Sequence, residues 1–316
     1  MTVAPGFDAI QAARVRIAGR VRLTPVLSSE ALDAELGATL FFKCENLQLT
    51  GAFKARGAFN AVLSLSPAQA ARGVVTHSSG NHGAALALAA RSRGIPAHVV
   101  APHSTPASKQ QNMQRYGALL QLCEPTLAAR QSAAEQIVAT TGATLIHPYD
   151  NAAVMAGQGT VALELLEQVP DLNVIVCPIG GGGLISGAAV AAHGIDARIV
   201  VLGAEPAGAD DARRSRHAGV ITPVTQPSSL ADGLLATIAS STFEVIRTQV
   251  DAVGTVTEAQ IVAAMRWVWE ELRILIEPSS AVPVAALLNG SLNVAGRRVG
   301  IVLTGGNVDL QRLPWT

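Results

Sequence analysis

Lysine is scarce. Of 23 basic side chains in 316 residues only Lys43, Lys54 and Lys109 are lysines, so chemistry that needs an amine nucleophile has three candidates. An excess of either charge is also missing. The 23 Lys and Arg balance 23 Asp and Glu, which leaves nothing to hold a phosphate backbone, and no nucleic-acid partner is expected. Three cysteines, Cys44, Cys123 and Cys177, are odd in number and far apart; without close pairs they read as small buried residues rather than zinc ligands or disulfides. His77, His98, His103, His193 and His217 show no metal-ligand spacing either. Long apolar runs are lacking, since the stretch from Val174 to Ala192 is broken by Pro178 and four glycines. The segment from Met1 to Arg14 resembles neither a signal nor a transit peptide. The expectation is a cytoplasmic chain with no membrane partner.

What is present is a hydrophobic content of 49%, enough for one large core or two. Short β-branched runs alternate with Ala-rich segments of helical length. Gly73 to His77 is followed by Gly83 to Arg93, Ala97 to Val100 by Ala107 to Tyr116, and Ala118 to Leu122 by Leu127 to Thr140. Beyond Asn151 the rhythm resumes, with strands predicted at Leu172 to Cys177, Arg198 to Gly203, Asp251 to Val256 and Arg298 to Leu303, and a helix at Glu258 to Arg273. This is the α/β pattern of parallel strands covered on both faces. Turn signals at Thr50-Gly51 and His147-Pro148 suggest a small domain at 48–150 inserted into a large one at 1–47 and 151–316. Ligands of open α/β sheets bind beyond the carboxyl ends of strands, which directs attention to three loops.

Gly180, Gly181, Gly182 and Gly183 follow an apolar strand and precede a helix beginning at Leu184. Backbone N–H groups converging there favour a phosphate, although neither P-loop nor GxGxxG spacing is present; the plain alternative is a packing turn. Ser78-Ser79-Gly80-Asn81-His82-Gly83 also joins a strand to a helix, and suits a carboxylate or ordinary N-capping. Lys54 lies between Phe53 and small residues just past a turn. An amine in apolar surroundings has a depressed pKa and becomes a usable base or nucleophile, whereas a solvated lysine would start a surface helix.

These loops, in this order and with Thr304-Gly305-Gly306-Asn307 after the last strand, resemble the fold type II pyridoxal-phosphate (PLP) enzymes, most closely the serine/threonine dehydratase and serine racemase branch, over Thr24 to Asp309. The resemblance implies a tryptophan-synthase-β-like α/β fold, with two open parallel-rich sheets in a large and a small domain. It implies that Lys54 forms the Schiff base with PLP beside Phe53, and that Asn81 bonds the ring hydroxyl. Gly180 to Gly183 and the Leu184 N–H would hold the phosphate, and Thr304 would face the pyridine nitrogen. In the resemblance that last position is usually Ser or Cys, where this sequence has Thr304. Lys54 is then placed to take the Cα proton, and a hydroxyl beside the pyridine nitrogen favours prompt β-elimination over transamination. Ser79 is similar to the racemases' second acid/base. The Glu205-Pro206-Ala207-Gly208-Ala209-Asp210-Asp211 run offers hard oxygen ligands. In the resemblance Glu205, the Ala209 carbonyl and Asp211 hold Mg²⁺, or Ca²⁺ or Mn²⁺; the alternative is an acidic helix start.

Ser78, Ser79, Asn81 and His82 are candidates for the substrate α-carboxylate. Arg130 matches an arginine beside the racemase pocket and suits a second carboxylate, which points to 3-hydroxyaspartate; otherwise it is a solvated helix residue. Tyr149 stands where mammalian racemases have Asn, and Leu49 where they have a nucleotide-contacting lysine, so nucleotide activation of that type is not expected. Glu277 aligns with a glutamate near the cofactor or is a helix-entry charge. Nothing follows Thr316, so no appended regulatory domain is expected, and the resemblance implies a homodimer. The reading is a PLP-dependent ammonia-lyase that removes water and ammonia from a small-molecule β-hydroxy amino acid: L-threo-3-hydroxyaspartate, L-serine or L-threonine. The alternatives are an amino acid racemase on the same scaffold, a non-catalytic phosphate-ligand binder, and a β-replacement enzyme, the last disfavoured by the acidic run.

Overall fold

The computed structural model describes residues 2–311 and 313–315; Met1 and Thr316, the ends of the expected large domain, lie outside them. Among the described residues ten strands form: β1 (Val26–Leu27), β2 (Thr39–Cys44), β3 (Val74–His77), β4 (Ala97–Pro102), β5 (Ala118–Cys123), β6 (Thr144–Leu145), β7 (Val174–Pro178), β8 (Val200–Pro206), β9 (Ala252–Val256) and β10 (Arg298–Leu303). They make two sheets. One has the order β1-β2-β10-β7-β8-β9, parallel except for the antiparallel pair β1–β2, and the other β5-β4-β3-β6, parallel throughout. Helical crossovers impose this, because parallel neighbours cannot be joined by a tight turn. The α/β fold with two parallel-rich sheets is therefore as the motifs imply.

The four-stranded sheet draws only on residues 74–145, and the six-stranded one only on segments before and after it. In the larger sheet, Phe42, Val176, Ile301 and Leu303 face one core with the helices Glu258–Leu272 and Pro278–Leu288. Ile175, Cys177 and Val302 face another with Phe7–Ile17, Ala152–Gln168, Gly183–Ile195 and Ser240–Gln249. Central strands β3 and β7 are buried at every position; β7 accordingly reads as a continuous apolar run, while β3 buries Thr76 and His77 as well. Strand β5 lies at an edge and is nowhere fully buried. Cys123 at its end is consequently only half-buried, unlike Cys44 and Cys177. Trp267 and Trp269 diverge as their spacing requires: Trp267 packs on the core, while Trp269 is exposed. No described helix is long and apolar enough to cross a membrane.

Candidate active site

The loops that leave β3, β7 and β10 line one cavity of about 530 Å³, within the size range of cofactor sites. Lys54 opens the helix Lys54–Leu63, and its approach is fixed by backbone pairing. Ala52 bridges Gly305, and the Phe53 N–H donates to the Thr304 carbonyl at 2.9 Å. The first turn is therefore held against the loop after β10. Lys54 Nζ donates to the Pro148 carbonyl at 2.9 Å and lies 5.1 Å from the Phe53 ring centroid. Burial lowers its pKa to about 8, against the opposing charge of Glu277. The amine thus titrates within reach of the physiological range, where a neutral fraction is available as a general base requires.

Ser78, Ser79 and Asn81 line the cavity and are half-buried. The Ser78 N–H is bonded to the Val100 carbonyl at 3.0 Å, and its hydroxyl accepts from the Gly80 N–H at 3.4 Å. Asn81 starts the helix Asn81–Ser92. Its Oδ1 accepts from Asn307 Nδ2 at 2.8 Å, and Asn307 also donates to the Thr50 carbonyl. The His82 ring is turned inward, 2% exposed, with Nε2 3.3 Å from the Ile146 carbonyl. Burial, helped by Lys54, holds its pKa well below normal, so its side chain is a neutral group.

The four glycines cross from β7 to the helix Gly183–Ile195, and Gly182 takes φ +85° at the N-cap. Tyr149 covers this loop. A Cβ on Gly181 would lie 2.4 Å from its ring, and one on Gly183 2.9 Å from its Cβ. Only glycine permits this approach, and it leaves main-chain N–H groups and a helix N-terminus as the lining, a cradle fit for a phosphate. Burial raises the Tyr149 phenol to about 12, keeping it protonated. Thr304 also lines the cavity, its hydroxyl 3.0 Å from Ser280 Oγ, which also bonds Gly305. Ser280 was not singled out by the sequence, which carries no local signal for it.

Arg130 also lines the cavity, and its buried Nε has no hydrogen-bond partner. It lies close enough to lower the pKa of His77, after the larger effect of burial. His77 has no ligand spacing in the sequence, yet it lines the cavity, 5.0 Å and edge-on to His147, whose ring in turn meets Tyr149 at 4.6 Å. Lys109 and Asp232 line the same space and form an ion pair. That pair spans 123 residues, and the sequence gives no sign of it.

Glu205, Ala209 and Asp211 lie outside the cavity lining. Fully buried Glu205 accepts from the Ala212 and Arg213 N–H groups at 3.0 and 2.9 Å, while Asp211 accepts from the Ile238 N–H at 2.9 Å, just past the lining segment 232–237. Asp210 is taken by Arg213 and Arg214. Burial, with neighbouring aspartates adding to it, pushes Glu205 up to about 8 and Asp211 to about 6. Unlike Asp210, Glu205 and Asp211 bond backbone N–H groups rather than basic side chains, and such carboxylates fit a hard cation. No cluster of three or more His, Cys, Asp or Glu side chains suited to a metal occurs among the described residues; the expected set is two carboxylates and a carbonyl.

A buried lysine with a lowered pKa, a glycine cradle and a threonine hydroxyl line one cavity, a set suited to a PLP-dependent enzyme. The family model described as pyridoxal-phosphate dependent enzyme matches residues 17–305, and the chain belongs to that family. It is 47% identical over 311 residues to a beta-hydroxyaspartate dehydratase of Paracoccus denitrificans, covering 98% of this chain and 99% of the relative. It is 50% identical to a serine racemase of Arabidopsis thaliana, covering 96% and 93%. The structure of maize serine racemase superposes with a TM-score of 0.96 at 47% identity, covering 98% and 96%.

Proposed function

We propose that this chain is a PLP-dependent ammonia-lyase that converts a β-hydroxy amino acid, L-threo-3-hydroxyaspartate before L-serine or L-threonine, to a 2-oxo acid and ammonia. The observation that carries the reading is Lys54, a buried amine lowered to about 8 and facing the cavity. When bound, PLP supplies the electron sink for the substrate's Cα electrons. The glycine loop with the Leu184 N–H would hold its phosphate, Asn81 would bond its ring hydroxyl with Phe53 alongside, and Thr304 would offer a hydroxyl to its nitrogen. Ser78, Ser79, Asn81 and the His82 segment orient the α-carboxylate. Lys54 then takes the Cα proton, the β-hydroxyl leaves as water, and the released enamine takes up water to give the 2-oxo acid and ammonia.

Arg130 supports the choice of 3-hydroxyaspartate. Its buried unpaired Nε sits in the cavity wall, where a second carboxylate would satisfy it. The dehydratase relative, matched over nearly its whole length, supports elimination. A racemase is the second reading, favoured by Ser79 in the cavity wall and by the serine racemases among the relatives. The same proposal includes Mg²⁺, or Ca²⁺ or Mn²⁺, on Glu205, the Ala209 carbonyl and Asp211. It also includes a homodimer in the cytoplasm and a small domain at 48–150 within a large one at 1–47 and 151–316. The test is release of 2-oxo acid and ammonia by PLP- and Mg²⁺-supplied protein on L-serine, L-threonine and the 3-hydroxyaspartate stereoisomers. Equal amounts of both products, fastest from the L-threo isomer, are expected; no ammonia from any of them would overturn the reading.

A further inference from the structure

We propose that Arg56 is a positioning residue for Lys54, fixing the first turn of the helix that carries the amine; this rests on Lys54 being the cofactor lysine. Arg56 follows Lys54 by two residues and is 1% exposed. Its guanidinium grips two carboxylates. Nε and Nη2 donate to the Glu45 oxygens at 2.8 and 2.7 Å, and Nη1 and Nη2 to those of Glu164 at 2.9 Å each. Glu45 follows β2 and Glu164 lies on the helix Ala152–Gln168. Lys43 completes the set, with Nζ 2.6 Å from Glu164 and 2.9 Å from the Thr24 carbonyl. Thr24 in turn donates its hydroxyl to Glu45 at 2.6 Å. Two cations thus balance two carboxylates, and the cluster imposes no net charge on Lys54.

Such a cluster is poorly explained by stability. Desolvating each ion carries a penalty of several kcal/mol, and replacing buried ion pairs with apolar groups is often neutral or stabilising. Geometry is what it supplies. The first turn of a helix lacks internal acceptors for its N–H groups and opens readily, whereas a planar fork held at both edges fixes position and direction together. The adjoining backbone is pinned as well. The Gly57 N–H donates to Gln158 at 3.1 Å, and a Cβ on Gly157 would lie 2.6 Å from the Arg56 carbonyl. The helix Ala152–Gln168 follows directly from the segment whose Pro148 carbonyl receives the Lys54 amine. Arg56 therefore locks the amine-bearing turn to the helix that follows the segment carrying its acceptor, and a shift of about 1 Å at such a site can cost about 100-fold in rate.

The test uses Arg56→Lys and the charge-balanced double variant Arg56→Met with Glu45→Gln, which leaves the Lys43–Glu164 pair intact. The readouts are thermal midpoint, the rate constant for PLP uptake by apoenzyme followed by visible absorbance, and the separate kcat and KM of holoenzyme. For the double variant the expected result is an unchanged or higher midpoint, uptake and kcat each slowed at least tenfold, and KM within twofold. Wild-type uptake and kcat in the double variant would overturn the proposal. Should that variant not fold, Arg56→Lys decides: a tenfold slower uptake with an unchanged midpoint supports the proposal, and uptake within twofold of wild type overturns it. Borohydride reduction and mass analysis of Lys54→Ala form the control. A cofactor adduct in that variant would overturn the lysine assignment itself, a failure distinguishable from that of Arg56.

Discussion

Both carboxylate oxygens of Glu277 accept from the amide nitrogen of Asn81, at 2.9 and 3.0 Å, across 196 residues of sequence. The contact joins the loop after β3 to the N-cap of the helix Pro278–Leu288. Burial lifts Glu277 to about 7, and its charge opposes the fall in the Lys54 pKa. Two titrating groups near neutrality therefore meet at one site, the arrangement expected of acid–base chemistry.

A pH dependence follows. Only the neutral amine attacks the PLP aldehyde, so uptake by apoenzyme should rise with pH through a midpoint of about 8 rather than the ordinary 10.5. Glu277→Gln removes an anion that favours the charged amine, so the midpoint should move lower. Stopped-flow absorbance across pH 6 to 10, about two units either side of the midpoint, checks both. A midpoint near the ordinary value, or an upward shift in the variant, would contradict the account.

Arg130→Ala should lower kcat/KM for L-threo-3-hydroxyaspartate by about 10- to 100-fold, the equivalent of ~1.5–3 kcal/mol for a hydrogen bond to a charged group. For L-serine, which has no second carboxylate, it should change kcat/KM by less than about threefold. Steady-state assays on the two substrates decide this, and equal losses would remove Arg130 from substrate recognition.

Gly181→Ala would set a Cβ 2.4 Å from the Tyr149 ring. Because the ring must move off the loop, PLP affinity should fall by roughly tenfold, within the ~1–3 kcal/mol typical of overpacking. Adding Tyr149→Ala should recover part of it. Fluorescence titration of apoenzyme measures each constant, and unchanged affinity in the single variant would show that Tyr149 does not constrain the cradle.

The site's loops were legible because their signals are local. Glycines and hydroxyl residues between a strand and a helix mark possible anion-binding N-termini, but Lys54, Asn81 and Thr304 took their roles only from the order of the motifs and the resemblance it carries; Lys54, Asn81, Gly181 and Thr304 share one cavity. The bracing around them was not legible. The Asn307–Asn81, Lys109–Asp232 and Arg56–Glu164 contacts join positions over 100 residues apart, where spacing carries no information. Glu277 read equally well as a helix-entry charge because burial is a tertiary property. Two-residue strands β1 and β6 are too short to show a period, and the half-exposure of Cys123 depends on β5 lying at a sheet edge.

Divalent cation should stabilise the protein through the Glu205 and Asp211 carboxylates. With EDTA replaced by Mg²⁺, the thermal midpoint should rise by several degrees, on the order of 1–2 kcal/mol at this chain length. The increment should vanish in Glu205→Gln. Differential scanning calorimetry gives both values. An equal rise in the variant would place the cation elsewhere.

Elimination against inversion is measured most directly by incubating holoenzyme with L-threo-3-hydroxyaspartate in D₂O, then comparing ammonia formed with Cα-inverted, deuterated amino acid in the remaining substrate by chiral separation and mass spectrometry. The account expects ammonia and 2-oxo acid in equal amounts and in large excess over inverted substrate. Accumulation of inverted, deuterated substrate with little ammonia would contradict it and assign Ser79 the second proton transfer of a racemase.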